Sequence, residues 1–214
     1  MVRLVSITPD AEYLIGYCAR VSSPQNQGKD ATRLLRYCIR HGHWSPFEMA
    51  HAVMEIQTTR AISAQILRHR SFSFQEFSQR YAAVDNLPRD PDQRLAGATN
   101  RQSSLPVDWG SATPEQLSAV REGQDAVRAS WSAYKALLDA GFATETARMV
   151  LPLCTPTRLY MAGNIRSWLH YIDLRKRSDT QEEHRVIAEN IHAILQRAIP
   201  TIMSAFDERE NHGT

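Results

Sequence analysis

The chain has 214 residues, 43% of them hydrophobic, which is enough apolar material for a sizeable core and favours one domain spanning 1–214. With 25 Lys and Arg against 23 Asp and Glu the net charge is only +2, which excludes the broad basic face of a general nucleic-acid binder and makes any cationic site local. Cys18, Cys38 and Cys154 are far apart and odd in number, forming no disulfide framework, C-x-x-C pair or zinc set, so a reduced cytoplasmic setting is expected.

Val2, Leu4, Val5 and Ile7 read as a first strand. Thr8-Pro9-Asp10 then supplies an N-cap, a proline at the first helical position and an early acid for a helix reaching about Ala19. Asp10 and Glu12 also interrupt the opening apolar residues, and no apolar run reaches the ~18 residues of a membrane span, so a soluble, unprocessed chain without a membrane partner is expected. Asp30 is placed to cap a second helix with the stripe Leu34, Leu35, Cys38 and Ile39, and Gly42 to end it. His51 to Thr58 alternates as a strand, after which Ile62, Ile66 and Leu67 return to helical spacing. That order puts Gln65, Arg68 and His69 in a last helical turn and Ser71–Ser78 in the loop beyond.

Asp85 to Thr113 is rich in Asn, Asp, Pro, Gly and Ser and reads as a long surface excursion with room for short strands. Thr113-Pro114-Glu115-Gln116 is a capping box for a long core helix carrying Leu117, Val120, Val127, Trp131, Tyr134 and Leu138 on one face, with Gly141 past its end. A short helix from Thr144 to Val150 stops at Pro152, Thr157 to Met161 forms a strand, and Gly163-Asn164 forms a turn. Trp168, Leu169 and Ile172 mark a helix to Arg175; a last helix starts at Ser178 or Asp179 and ends at Pro200. The order of elements is that of one domain of mixed α and β.

Chemistry concentrates between Arg68 and Tyr81, where Arg68, His69, Arg70, Glu76, Arg80 and several serines are interleaved with Phe72, Phe74 and Phe77. Guanidinium forks read phosphate and carboxylate oxygens, polar side chains hold ring edges, and aromatics wall in a flat heterocycle. Taken alone, Arg68-His69-Arg70 is also what a helix end needs to complement its dipole. No G-x-G-x-x-G or G-x-x-x-x-G-K-[ST] stretch occurs, so a nucleotide would have to be held by side chains. The histidines show no metal-ligand spacing, and no metal is expected.

Arg68-His69-Arg70 followed by seven residues and Ser78 resembles the signature of the flavin-dependent thymidylate synthases, the ThyX family. Ala19-Arg20-Val21-Ser22, His43 to Glu48, Ala147-Arg148-Met149-Val150-Leu151-Pro152, Asn164-Ile165-Arg166-Ser167 and Leu174-Arg175 resemble further motifs of that family, in order along about three quarters of the chain. The resemblance implies a single ThyX-like α+β domain, helices packed on a mostly antiparallel sheet, assembled as a homotetramer with active sites shared between subunits. It implies reductive methylation of dUMP to dTMP, with methylenetetrahydrofolate as carbon donor and NADPH as reductant acting through bound FAD.

By the same resemblance, Gln65, Arg68, Glu76, Ser78, Gln79, Arg80, Arg148 and Arg175 would hold dUMP, the Glu76–Arg80 stretch reaching in from a neighbouring subunit. FAD would contact Ser22, Ser45, Glu48, Arg68, His69, Arg70, Glu76, Asn164, Arg166 and His170. Arg175 is the residue assigned to activation, because a desolvated guanidinium stays charged while it stabilises an electron-rich uracil. Ser78 has no evident base and is assigned to positioning rather than attack. Gln75, the phenylalanines at 72, 74 and 77, His170 and Asp179 depart from what many members carry at those places. An RNA- or single-strand-binding module is the competing class, since arginines among aromatics also stack bases; an inactive scaffold with the same fold is a third.

Overall fold

The computed structural model describes residues 1–98 and 104–212, with side chains up to Arg209 in the last helix. Part of the expected excursion, residues 99–103, therefore lies outside the described residues. The strands are β1 (Val2–Ile7), β2 (His51–Thr59), β3 (Ser73–Glu76), β4 (Arg94–Ala96), β5 (Ser104–Pro106) and β6 (Pro156–Asn164). The helices are α1 (Ala11–Ala19), α2 (Thr32–Arg40), α3 (Arg60–Ile66), α4 (Pro114–Asp139), α5 (Thr144–Ala147), α6 (Ile165–Arg175), α7 (Glu182–Ala198) and α8 (Pro200–His212).

β1, β2, β6 and β3 form one sheet in that order, every pairing antiparallel. Alternation makes the sheet two-faced. Leu4, Met54, Met161 and Phe74 lie in one row and Arg3, Glu55, Tyr160 and Gln75 in the next. The apolar face is covered by helices: Trp168, Leu169 and Ile172 of α6, Ile187, Ile191 and Leu195 of α7, and Ile202, Met203 and Phe206 of α8 join Leu35 and Ile39 of α2 in one buried cluster. On the polar face Glu55 is buried yet ionised, its carboxyl held below the usual range by a hydrogen bond from Arg3 at 2.5 Å. The expected α+β class, helices on an antiparallel sheet, is the observed one.

Several local expectations shift. Thr8 does not cap α1; its hydroxyl accepts the His51 N–H at 2.9 Å, tying β1 to β2, and Asp10 takes the cap position with a left-handed φ of 47°. Asp30 sits one residue before the N-cap Ala31 but still accepts from the Thr32 hydroxyl at 2.9 Å. Gly42 ends the α2 region with φ 68°, as its missing Cβ permits. The stretch expected as a loop after His69 contains β3, and Gly163-Asn164 makes no turn: β6 runs straight into α6, with Asn164 as N-cap accepting from Ser167 N–H at 2.8 Å. α7 begins later than expected, and Pro200, read as a stop, opens α8.

α4 keeps its capping box, with Thr113 and Gln116 bonding reciprocally, but not its expected place in the main core. Only Val127 and Tyr134 of it are buried. Tyr134 joins Val84 and Ala147 in a separate small cluster edged by Phe77, Trp131 and Leu151, and its hydroxyl accepts the Val84 N–H at 2.9 Å.

Candidate active site

A cleft of about 590 Å³ opens where β6 passes into α6. Two hydrogen bonds to β2-side backbone carbonyls fix this corner: Ile165 N–H donates to the Ala50 carbonyl at 2.9 Å, and the Trp168 indole N–H to the Ala52 carbonyl at 3.2 Å. They bring the start of α6 against the short 3-10 turn Ser45–Glu48, where Arg166 and Glu48 form a tight ion pair. Glu48, Asn164, Arg166 and His170, four residues of the flavin set, line this cleft together. Ser22, Ser45, Arg68 and Arg70 are exposed and are not among its lining residues.

Trp44, Ser71, Ser167, Asp173, Phe206 and Arg209 complete the wall, and none was singled out from sequence for a ligand. Arg209 lies over the Trp44 ring at 5.1 Å, a contact between residues far apart in sequence. Trp44, Ser71 and Ser167 stood inside recognised motifs and so carried a visible signal, whereas Phe206 and Arg209 did not.

The motif is anchored by its aromatic residue. Phe72 packs on Trp168 with ring centroids 4.7 Å apart and lies on the backbone of Gly163, where a Cβ would come within 2.5 Å of the ring. This close approach holds His69 beside α6. Arg175 Nε–H donates to His69 Nε2 at 2.9 Å, so His69 must be neutral there, with its proton on Nδ1. Burial first, then the charges of Arg175 and His170, hold His69 down to about 4. Gln65 is joined to His184, whose ring is fully buried and lies 2.9 Å from the Tyr171 hydroxyl.

His184 is held lower still, at about 3, by burial and then by Arg175 and His69. Both folded values lie below the unfolded value of about 6.5. Neutral His69 and His184 therefore stabilise the fold above that pH, and the contribution is lost as pH falls from about 6.5 toward 4 and 3. For His184 the full loss is on the order of 5 kcal/mol. Thermal melts between about pH 7 and pH 4 are expected to fall steeply, with a shallower slope in His184→Gln; equal slopes would refute this role.

The remaining residues expected to hold dUMP lie in two other places. Glu76 Oε1 accepts from Arg60 at 2.6 Å, Ser63 at 2.7 Å and Thr157 at 2.9 Å. Beyond it the Ser78–Arg80 turn meets α5: Arg80 pairs with Glu145 at 3.4 Å, and Arg148 Nε–H donates to the Glu145 carbonyl at 3.3 Å. Ser78 is exposed, whereas Gln79 is buried with its Nε2 donor unpartnered. Among the described residues no hydrogen bond or ion pair links the Arg80–Arg148 group to Arg175 and Gln65.

Residues 3–201 match the thymidylate synthase complementing protein family. A probable flavin-dependent thymidylate synthase of Paramecium bursaria Chlorella virus 1 is 46% identical over 220 residues, covering 96% of this chain and 98% of the relative. The flavin-dependent thymidylate synthase of Synechocystis is 47% identical over 197 residues, 92% of this chain and 89% of the relative. Among solved structures, the UMP/dUMP methylase PolB of Streptomyces cacaoi with 5-Br dUMP superposes with a TM-score of 0.81 at 27% identity, covering 97% of this chain and 94% of that one. With the family matched across nearly the whole chain, relatives at these identities and the same fold around the cleft, the chain belongs to the thymidylate synthase complementing protein family, that of the flavin-dependent thymidylate synthases.

Proposed function

We infer that this chain is a methyltransferase that converts dUMP to dTMP, with FAD as bound cofactor, methylenetetrahydrofolate as one-carbon donor and NADPH as reductant. The active form is a homotetramer in the cytoplasm, with the Glu76–Arg80 stretch of one subunit completing the site of another. The observation that carries the reading is the meeting of Glu48, Asn164, Arg166 and His170 on one cleft, with the His69–Arg175 pair at the other end of α6.

The cleft's chemistry fits a flavin nucleotide. Its volume falls in the ~300–1,000 Å³ range of small-molecule sites, and its wall combines the cations Arg166 and Arg209 with the rings of Trp44 and Phe206 and the hydroxyls of Ser71 and Ser167. Arg166, Asn164, His170 and Ser71 would hold the cofactor there, with Arg68, His69 and Arg70 from the motif. When bound, the flavin supplies hydride relay between the reductant and the one-carbon unit.

The chain's own residues do the rest. The orphaned Gln79 Nε2 is a buried donor that a nucleotide oxygen would satisfy, and Arg80 and Arg148 are suited to phosphate. Neutral His69 orients Arg175 through Nε, aiming the guanidinium plane at a uracil edge. There its fixed charge stabilises the electron-rich uracil, with negative charge on N3 and the ring oxygens, from which C5 attacks the one-carbon unit, and again the charge that returns to the ring when C5 loses its proton. A polar site for these charges is more effective once water is excluded.

Purified protein is expected to be yellow and to release tritium from dUMP labelled at C5 when folate and NADPH are supplied. A colourless protein without dUMP-dependent tritium release, binding single-stranded nucleic acid with steep salt dependence, would overturn the reading in favour of the binding module.

A further inference from the structure

β4 of the surface excursion and the start of α7 meet in a line of polar side chains that runs from the surface into the core. Arg94 donates to both carboxylate oxygens of Glu183, at 2.6 and 2.7 Å. Glu183 Oε2 also accepts from Gln181 Nε2 at 2.9 Å, and Gln181 Oε1 accepts from Gln65 Nε2 at 2.7 Å. Gln65 Oε1 lies 3.2 Å from His184 Nδ1, and His184 Nε2 lies 2.9 Å from the Tyr171 hydroxyl.

The direction of every bond in this line follows from its end. An ionised carboxylate only accepts, so Gln181 must turn its NH₂ toward Glu183 and its oxygen toward Gln65. Gln65 must then turn its own NH₂ toward Gln181 and its oxygen toward His184. His184 must carry its proton on Nδ1, and its bare Nε2 must accept from Tyr171. Reversing any one amide sets donor against donor or acceptor against acceptor at two contacts. Burial raises the Glu183 carboxyl, but hydrogen bonds from Arg94, the backbone and Gln181 outweigh it and leave it below the usual carboxylate range, so the end of the line stays an acceptor.

We propose that Arg94 and Glu183 are positioning residues that fix, through Gln181, the amide orientation of Gln65, so that its second N–H is held as a donor for the nucleotide. This rests on the reading of Gln65 as a dUMP contact. Neither Arg94 nor Glu183 touches the substrate; they act on a side chain that does.

The test is a double-mutant cycle on FAD-loaded enzyme, reading dUMP affinity, KM and kcat. Glu183→Gln makes the end group ambivalent and is expected to raise the dUMP KM about tenfold, with kcat and flavin content little changed. In a Gln65→Met background, which has no amide to orient, the same change is expected to cost nothing further. Equal losses in both backgrounds would mean a general structural role and overturn the proposal. If Gln65→Met weakens dUMP binding but Glu183→Gln does not, the orienting line alone fails. If folded, yellow Gln65→Met binds dUMP normally, the assignment of Gln65 fails and the proposal with it. An independent readout needs no variant at the carboxylate: nitrogen-15 spectra of histidine-labelled protein, with the His184 signal identified by its loss in His184→Gln, are expected to show the Nδ1–H tautomer. An Nε2–H tautomer would reverse the line and overturn the proposal.

Discussion

Arg175→Lys is expected to fold, to retain FAD and to lose turnover by about two to three orders of magnitude, the cost of removing one oriented charge-stabilising donor. The substitution keeps the positive charge that helps to hold His69 and His184 neutral. What it removes is the division of labour proposed for one planar group, in which Nε is committed to His69 at 2.9 Å and the fork beyond it is left for the uracil edge. An ammonium is a compact point charge on a flexible stem and cannot bond the imidazole and present a planar pair of donors at once. The check is single-turnover dTMP formation in the FAD-loaded variant, with melting and flavin spectra confirming fold and cofactor. Near-normal turnover by such a protein would remove Arg175 from the reaction.

The second large effect is a recovery of activity from two inactive proteins. Arg80 pairs with Glu145 of its own chain and sits with Arg148 near the satellite cluster, while Arg175 belongs to the His69 corner of the main core. If a site takes Arg175 from one subunit and Arg80 from another, Arg175→Ala and Arg80→Ala carry complementary defects. Random co-assembly would leave about a quarter of the sites with both arginines intact. Co-expressed mixed tetramers are therefore expected to form dTMP, whereas separately purified tetramers mixed without subunit exchange are not. Inactivity of verified mixed tetramers would place both residues in one subunit's site or remove one of them from it.

The elements legible in the sequence were those whose signals are local. β1, β2 and α4 follow from alternation, helical spacing and a capping box that the structure retains. β3 was read as loop because the strand is only Ser73–Glu76 and its partner, β6, lies some eighty positions on; nothing within the segment announces a pairing made so far away. Asn164 and Pro200 were misread for a related reason. Each residue type serves at either side of a boundary, as turn or N-cap and as stop or helix start, and tertiary placement decided. In the candidate site the motif residues were visible, but Arg209 and Phe206 reach the cleft from the last helix, and Arg94 meets Glu183 from β4, in a stretch whose composition spoke only of surface. The residues expected from the motifs to hold a ligand carried a pattern; those that only the fold brings to the cleft or to Gln65 did not.

The pairing of β2 with β6 has a consequence for how the chain is made. The two strands run side by side along their whole length, from His51 opposite Asn164 to Thr59 opposite Pro156, so the centre of the sheet cannot close until the intervening residues have left the ribosome. At ordinary rates of synthesis that interval lasts roughly 5–20 s. Throughout it Met54 and Ile56, destined to be fully buried, lie on a nascent strand with β1 as its sole sheet neighbour, and a two-stranded ribbon is only marginally stable in water. Side chains that end fully enclosed in β2 thus begin as exposed, adhesive surface, and chaperones that shield nascent apolar strands would find their target in the first sixty residues of this chain.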